Sequence, residues 1–512
     1  MKFTKEIADK LNKTHYDYLL LNAKKNPDKK LYITEHREYT YGEVLQIVNS
    51  LIVQFHKNGI KNGTEVGIRT TKTAACSFII IALGAIGALS VLTDVHFGLE
   101  EYLEKSGVNI HPEFYITDET EMNVWKLYSS SFQELDSINA DIKYNDLELV
   151  NQLHSQVDPE QGFCVYFTSG STGKSKAIIL SHRGAIANAV GEVKPFDMHE
   201  DDVAMSLLPL NHSFGIAVLT VTIYNNETII YPQTFTIEHI LECIEKYRIS
   251  ILFSVPTMFL DFISLMKTKS YDVSSMRNAI IGGAACPKDQ MFYIERKLNV
   301  KVITAYASSE AIGICCNDAE ETSEYRCRGV GKSWGGLTEI KIKGKDGVEV
   351  PVGKNGEICV RGATLMNGYY DNEEENKKVL DSEGFIHTGD LGFLDETGYL
   401  IINGRMKDII IRGGENLSGG KIEKAVNALE YISFAIVVPV ADERLGEVVG
   451  AMAVIKKEYE GITAERIRDD LRITLTKIEL PQVISLVDAI PLTFSEKPDK
   501  LKIKSMLNEM NK

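Results

Sequence analysis

At 512 residues the chain exceeds one ordinary domain and calls for roughly two to four. Hydrophobic residues at 44% and charged residues at 25% give the balance of a folded globular protein, which argues against a disordered or fibrous chain. Asp and Glu outnumber Lys and Arg by 71 to 56, a net charge of −15 that disfavours nucleic acid or an anionic membrane as partner, since phosphate contacts need concentrated positive charge.

The N-terminal MKFTKEIADKLNK has neither an apolar core nor a cleavage-like site, so no secretory signal is expected. YTYGEVLQIVNSLIVQFHKNGI, residues 39–60, spaces its apolar residues as a helix and stops at a Gly. TEVGIRT then reads as a short strand. Residues 73–93, TAACSFIIIALGAIGALSVLT, carry no charge and are long enough in principle to span a bilayer. They lack an aromatic belt and a one-sided basic flank, so a buried helix running into a buried strand is expected rather than a stable membrane span. EFYITD is the next buried strand.

Alternation returns at ISILFSV, MFLDFISLMK, NAIIGGA, DQMFYIERKLN and VKVITAYA. Apolar runs separated by amphipathic helices mark parallel sheets covered on both faces, so the fold class is α/β. From about Gly329 strands broken by Gly, Asp and Asn turns predict a small β unit. After Arg405 a strand at KDIIIRGG, a helix at GGKIEKAVNAL, strands at FAIVVPV and VGAMAVIK, and a helix from Ala464 to about Lys477 predict a separate α+β module. The domain reading is 1–404 as a large N-terminal domain, 405–408 as a hinge and 409–512 as a small mobile domain. The eight cysteines form no C-x-x-C pair, as expected of reduced, mostly buried thiols in a cytoplasmic protein.

The strongest chemical signal is VYFTSGSTGKSKAIILSH, residues 165–182. Gly170 and Gly173 let backbone N–H groups turn inward together. Thr168, Ser169, Ser171 and Thr172 add hydroxyl donors, and Lys174 and Lys176 add charge, so the loop suits a polyphosphate. A P-loop ends in the same Gly-Lys-Ser, but its first Gly position is Thr168 here, so that match is incomplete. It leaves a P-loop phosphotransferase or ATPase as the reading from another class, and a flexible linker as the bland one.

These residues resemble the hallmark loop of the adenylate-forming family, which comprises acyl-CoA synthetases, adenylation domains of peptide synthetases and luciferases. Ser175 stands for the usual Pro and Ala177 for the usual Gly. Further segments recur in the family's order. LPLNHSFG, residues 208–215, resembles the segment bordering the acyl site, which implies that His212 and Ser213 line it. Amino-acid-activating relatives usually carry an Asp at position 213 to pair the substrate ammonium. No acidic residue occurs from 205 to 226, so the expected substrate is a carboxylic acid without an α-amino group. The acyl pocket is expected from residues 212–217, 254–258 and 282–285.

Gly282-Gly283-Ala284-Ala285 and Ala305-Tyr306-Ala307-Ser308-Ser309-Glu310 resemble the adenine-bordering and A-Y-G-x-T-E segments. The resemblance implies that Gly283, Ala284, Ala285 and Tyr306 border adenine, that Ser309 meets a phosphate oxygen and that Glu310 holds Mg²⁺. His387-Thr-Gly-Asp390 with Arg405 resembles the pair that holds the ribose hydroxyls. Arg405-Met-Lys407-Asp408 implies a pivot at Lys407, and Gly414 falls in the loop that meets a pantetheine arm. Lys497 falls on the family's catalytic lysine, with Glu496 in place of the customary Gly and with Lys500 and Lys502 nearby. The implied activity is ATP- and Mg²⁺-dependent formation of an acyl adenylate, then transfer to CoA or to a carrier-protein phosphopantetheine. A non-catalytic acyl- or nucleotide-binding relative is the third reading.

Overall fold

The computed structural model describes residues 3–69, 73–94, 99–117, 124–130, 138–139, 144, 146–168, 175–232, 234–284, 286–459, 461–492 and 498–511. The chain divides into two compact units. The first comprises Met1–Thr168, Ser175–Ile340 and Val360–Ile386, and the second includes Lys341–Cys359 and His387–Lys512.

In the first unit the predicted 39–60 helix is Tyr41–Lys57. Thr40 caps it by accepting from the Glu43 N–H, while Glu43 accepts from the Thr40 N–H at 2.8 Å. That reciprocal pair satisfies two backbone donors that the first turn would otherwise leave open. The uncharged stretch is helix Thr73–Ala85 followed by strand Leu89–Leu92, and its apolar side chains are buried. The strand runs parallel to Glu65–Arg69 inside an eight-stranded sheet, so burial on all sides explains the missing charge. No described helix is long and apolar enough to cross a membrane.

A nine-stranded sheet carries the second half of this unit. Strands Val203–Ser206, Ile251–Ser254, Asn278–Ile281 and Lys301–Tyr306 lie side by side and parallel. Helices Ile237–Tyr247, Pro256–Leu265 and Lys288–Leu298 contribute to the core over them, as the alternating apolar runs predict. Parallel strands end their carboxyl termini on one edge, where open α/β sheets bind ligands.

The second unit holds most of a four-stranded sheet in the order Thr338–Lys343, Gly356–Gly362, Ile386–Leu394, Leu400–Arg405. Beyond it, Ile432–Asp442 and Gly446–Ile455 form a long antiparallel hairpin, with Val483–Leu486 added parallel to the second strand. Helices Gly419–Asn427, Ala464–Leu471 and Lys500–Met510 bury Ile422, Ile467 and Ile503 in its cores. The helix expected to reach about Lys477 stops at Leu471. β-Branched Ile473, Thr474 and Thr476 follow, Ile473 is exposed, and Thr476 instead starts a turn held by the Glu479 carboxylate.

Candidate active site

Strand Gly162–Thr168 pairs antiparallel with Lys176–Ser181, with Thr168 opposite Lys176. The Ser/Thr/Gly-rich stretch therefore joins two strands of a hairpin, whereas a P-loop feeds a helix. Ser169, Gly170, Ser171, Thr172, Gly173 and Lys174 lie outside the described residues. The Lys176 ammonium sits 2.6 Å from Glu375 Oε2 and 4.6 Å above the centre of the Tyr369 ring. The Tyr369 hydroxyl donates in turn to Glu310 Oε1 at 2.8 Å. Hydrogen bonding to Lys176 holds the Glu375 carboxyl at about 2, and burial beside Glu310 pushes the Tyr369 phenol well up. The expected phosphate lysine and the expected metal ligand are thus joined through Tyr369.

The other expected residues of this unit follow the carboxyl ends of the parallel strands. Tyr306 is buried at the last position of its strand, and Ser309 and Glu310 come three and four residues on. Ser309 accepts at its carbonyl from the Tyr166 hydroxyl at 2.7 Å, and Glu310 accepts at its carbonyl from the Met366 N–H at 2.9 Å, so this turn is fixed from two sides. After Asn278–Ile281, Gly283 takes a φ of 75°, a conformation that disfavours side chains, and Ala284 is exposed. Ala285 lies outside the described residues.

His212 and Ser213 open helix Ser213–Tyr224, in the connection after Val203–Ser206. The three segments expected around the acyl group do meet. The Gly282 N–H bonds the Ser254 carbonyl at 3.4 Å, and a Cβ on Gly282 would lie 2.7 Å from the Phe214 ring. Phe214 also meets Phe253 edge-on at 6.3 Å.

In the second unit Asp390 and Arg405 are cross-strand partners, and Arg405 Nε lies 2.7 Å from Asp390 Oδ1. The carboxylate is 5% exposed and the guanidinium side chain 66%, so a buried acid is paired with a cation open to water. The stretch of strand before Asp390 is held by Glu357. Its Oε1 accepts from the Gly389 N–H at 3.0 Å and its Oε2 from His387 Nδ1 at 2.7 Å. Donor atoms of Glu357, Cys359 and His387 lie within 4.8 Å of one another.

Lys407 lies in the 3₁₀ turn Met406–Asp408, and Asp408 pairs with Lys500 at 2.9 Å. Gly413 and Gly414, at φ values of 58° and 89°, make the turn between strands Ile409–Arg412 and Glu415–Ser418. Lys497 lies outside the described residues.

Glu357, Tyr369 and Glu375 were not singled out from sequence. Tyr369 follows Gly368 in a two-residue strand paired with Lys176–Ser181, a length too short to show a period. Strand alternation in GEICVRG does put Glu357 and Cys359 on one face, but nothing local pairs that face with residue 387.

The chain matches the model of the AMP-binding enzyme family over residues 20–370 and that of the AMP-binding enzyme C-terminal domain over residues 421–497. It is 26% identical over 501 residues to a 2-succinylbenzoate–CoA ligase of Bacillus cereus (strain ATCC 10987 / NRS 248), covering 96% of this chain and 99% of that protein. It is 32% identical over 362 residues to a Rhodococcus jostii (strain RHA1) CoA ligase for an octahydroindenyl-propanoyl substrate, covering 70% of this chain and 66% of that protein. Among solved structures it resembles ATP-bound MatB from Rhodopseudomonas palustris with a TM-score of 0.81 at 21% identity, over 97% of this chain and 100% of that one. It likewise resembles MenE of Bacillus subtilis in complex with the acyl-adenylate OSB-AMP, with a TM-score of 0.80 at 23% identity, over 96% and 98%. At these identities the structural likenesses bear on the fold.

Proposed function

Because the chain belongs to the AMP-binding enzyme family and is an AMP-forming acid–thiol ligase of the acyl-CoA synthetase type, we propose that it activates an aliphatic or aryl carboxylic acid without an α-amino group and transfers the acyl group to coenzyme A. In the first step a carboxylate oxygen attacks the α-phosphorus of ATP, the bond from that phosphorus to the bridging oxygen breaks, and pyrophosphate leaves. In the second step the thiolate sulfur attacks the acyl carbon of the adenylate, the carbon–oxygen bond breaks, and AMP leaves.

Neither step needs a protein nucleophile, so the residues act by positioning and by electrostatic stabilisation. Tyr306 and the 283–285 segment border the adenine, Asp390 and Arg405 hold the ribose, and residues 168–174 with Ser309 meet the phosphates. His212 and Ser213 face the acid. Lys497 brings an ammonium between the carboxylate and the α-phosphate, Lys407 is the pivot between half-reactions, and Gly414 lies on the thiol path. The Glu310 carboxylate, with one oxygen held by Tyr369, is the hard oxygen donor suited to Mg²⁺, which when bound neutralises charge on the phosphates.

The supporting observation is that residues following the carboxyl ends of adjacent parallel strands are those the nucleotide and acid require, from His212 through Gly283 to Tyr306 and Glu310. The absence of an acidic residue from 205 to 226 supports an uncharged acyl α-position. A panel of short, long and aromatic acids with ATP, Mg²⁺ and either CoA or a carrier protein tests the reading. The expected outcome is AMP, pyrophosphate and an acyl-CoA with at least one acid. Formation of ADP and phosphate, or thioester on the carrier alone, overturns it.

A further inference from the structure

We propose that Glu357 is the positioning residue for the nucleotide sugar, acting by bracketing the strand segment that presents Asp390; this rests on the reading that Asp390 holds the ribose. The Asp390 strand lies between two neighbours in the four-stranded sheet, Gly356–Gly362 on one side and Leu400–Arg405 on the other. Each neighbour contributes one charged clamp. Arg405 takes the Asp390 carboxylate at Oδ1, and Glu357 takes the backbone and side chain just upstream.

The two Glu357 bonds are not redundant. Gly389 sits at a φ of 72°, and Glu357 Oε1 accepts its N–H at 3.0 Å. Oε2 accepts from His387 Nδ1 at 2.7 Å, which holds the strand two residues upstream of Gly389. Thr388 completes the bracket by donating its hydroxyl to the Ile358 carbonyl at 2.8 Å and accepting the Asp390 N–H at 3.1 Å. Every residue from 387 to 390 is therefore tied to a neighbouring strand or within this segment itself. A carboxylate that must accept from two vicinal hydroxyls tolerates only a few tenths of an ångström of drift, so the bracket sets how well the pair is read.

Glu357, Cys359 and His387 also offer a carboxylate, a thiol and an imidazole, the donor types a transition metal takes, with donor atoms within 4.8 Å. Both Glu357 oxygens already serve the Asp390 strand, which favours the bracket, and the metal becomes an outcome of the test.

The experiment compares ATP, 2′-deoxy-ATP and 3′-deoxy-ATP as substrates for the full-length wild type, Glu357→Ala, Glu357→Gln and Asp390→Asn. Glu357→Ala is expected to raise KM for ATP about tenfold while kcat at saturating ATP stays within about twofold, as for lost charge-assisted hydrogen bonds that bind without entering the chemistry. Its preference for ATP over the two deoxy nucleotides should collapse. Glu357→Gln keeps one acceptor oxygen and should fall between, which preserves the test if the alanine variant does not fold. An equal loss on all three nucleotides signals a merely structural role and overturns the proposal. So does an intact preference in Glu357→Ala alongside a lost one in Asp390→Asn. An intact preference in Asp390→Asn removes the ribose reading itself. Cobalt(II) added to wild-type protein without nucleotide should give no thiolate-to-metal absorption; a band lost in Cys359→Ser assigns the cluster to a metal and overturns the bracket.

Discussion

Glu192 shows what one buried side chain costs. It ends helix His182–Glu192, is 5% exposed, and burial pushes its carboxyl from 4.5 up to about 8 despite Asn188 one turn earlier. Between about pH 4.5 and 8 the folded protein keeps a proton that the unfolded chain has released. Its contribution is therefore whole below the lower value and is lost as the pH rises through the upper one. Glu192→Gln keeps the shape without the charge. It should melt higher than wild type at pH 7.5, as for a stability gain of up to about 4 kcal/mol, with the gap closing towards pH 5. Equal melting curves for the two proteins across pH 5 to 8 would remove Glu192 from this role. Tyr369 is the matching case at the site. Tyr369→Phe keeps the ring under Lys176 but frees the Glu310 oxygen that the hydroxyl now holds. A lost hydrogen bond of about 1 kcal/mol corresponds to roughly fivefold, so the Mg²⁺ concentration for half-maximal rate should rise by that factor. An unchanged Mg²⁺ titration would separate the phenol from the metal.

Elements are placed by close backbone approaches that a single side chain can break. Gly215, in the first turn of helix Ser213–Tyr224, leaves so little room that a Cβ would lie 2.1 Å from the Pro209 carbonyl oxygen. The obstacle is backbone and cannot rotate away. Gly215→Ala should cost about 2–3 kcal/mol, read as a lowered melting temperature; a wild-type melting curve would mean that the helix start shifts freely. Such contacts also mark the limit of what the sequence tells. Strands 251–254 and 278–281 and the helix between them were legible because continuous apolar runs and helical spacing are local patterns. The helix after Ala464 was overextended because its apolar residues continue past Leu471 while β-branched residues end the helix. At the site, Tyr306, Glu310, Asp390 and Arg405 stood out through resemblance. Their holders did not: Glu375 is 199 residues from Lys176 and Tyr369 is 59 from Glu310, separations that only a sheet can close.

For the whole molecule, two reactions with different requirements share one nucleotide, and single changes should separate them. Adenylation needs an ammonium near the α-phosphate, whereas thioester formation needs a clear path for a slim thiol. Lys497→Ala should abolish most pyrophosphate exchange yet leave transfer from preformed acyl-AMP, because on the proposed mechanism the second step no longer uses that charge. Equal loss in both steps would reassign the lysine, with Lys502 the next to test, since Lys500 is paired to Asp408. Gly414 offers the converse. Its φ of 89° strains any side chain, but among the described residues nothing lies within 4 Å of where a Cβ would be, so a Cβ meets no packed neighbour there. Gly414→Leu should thus keep its fold, keep pyrophosphate exchange within about twofold, and lower thioester formation by more than about tenfold, because on the proposed thiol path only the second step brings a thiol to the turn. If thioester forms at the wild-type rate, the thiol travels elsewhere. If both steps fall together, the turn serves adenylation as well and the division of labour between Lys497 and Gly414 is wrong.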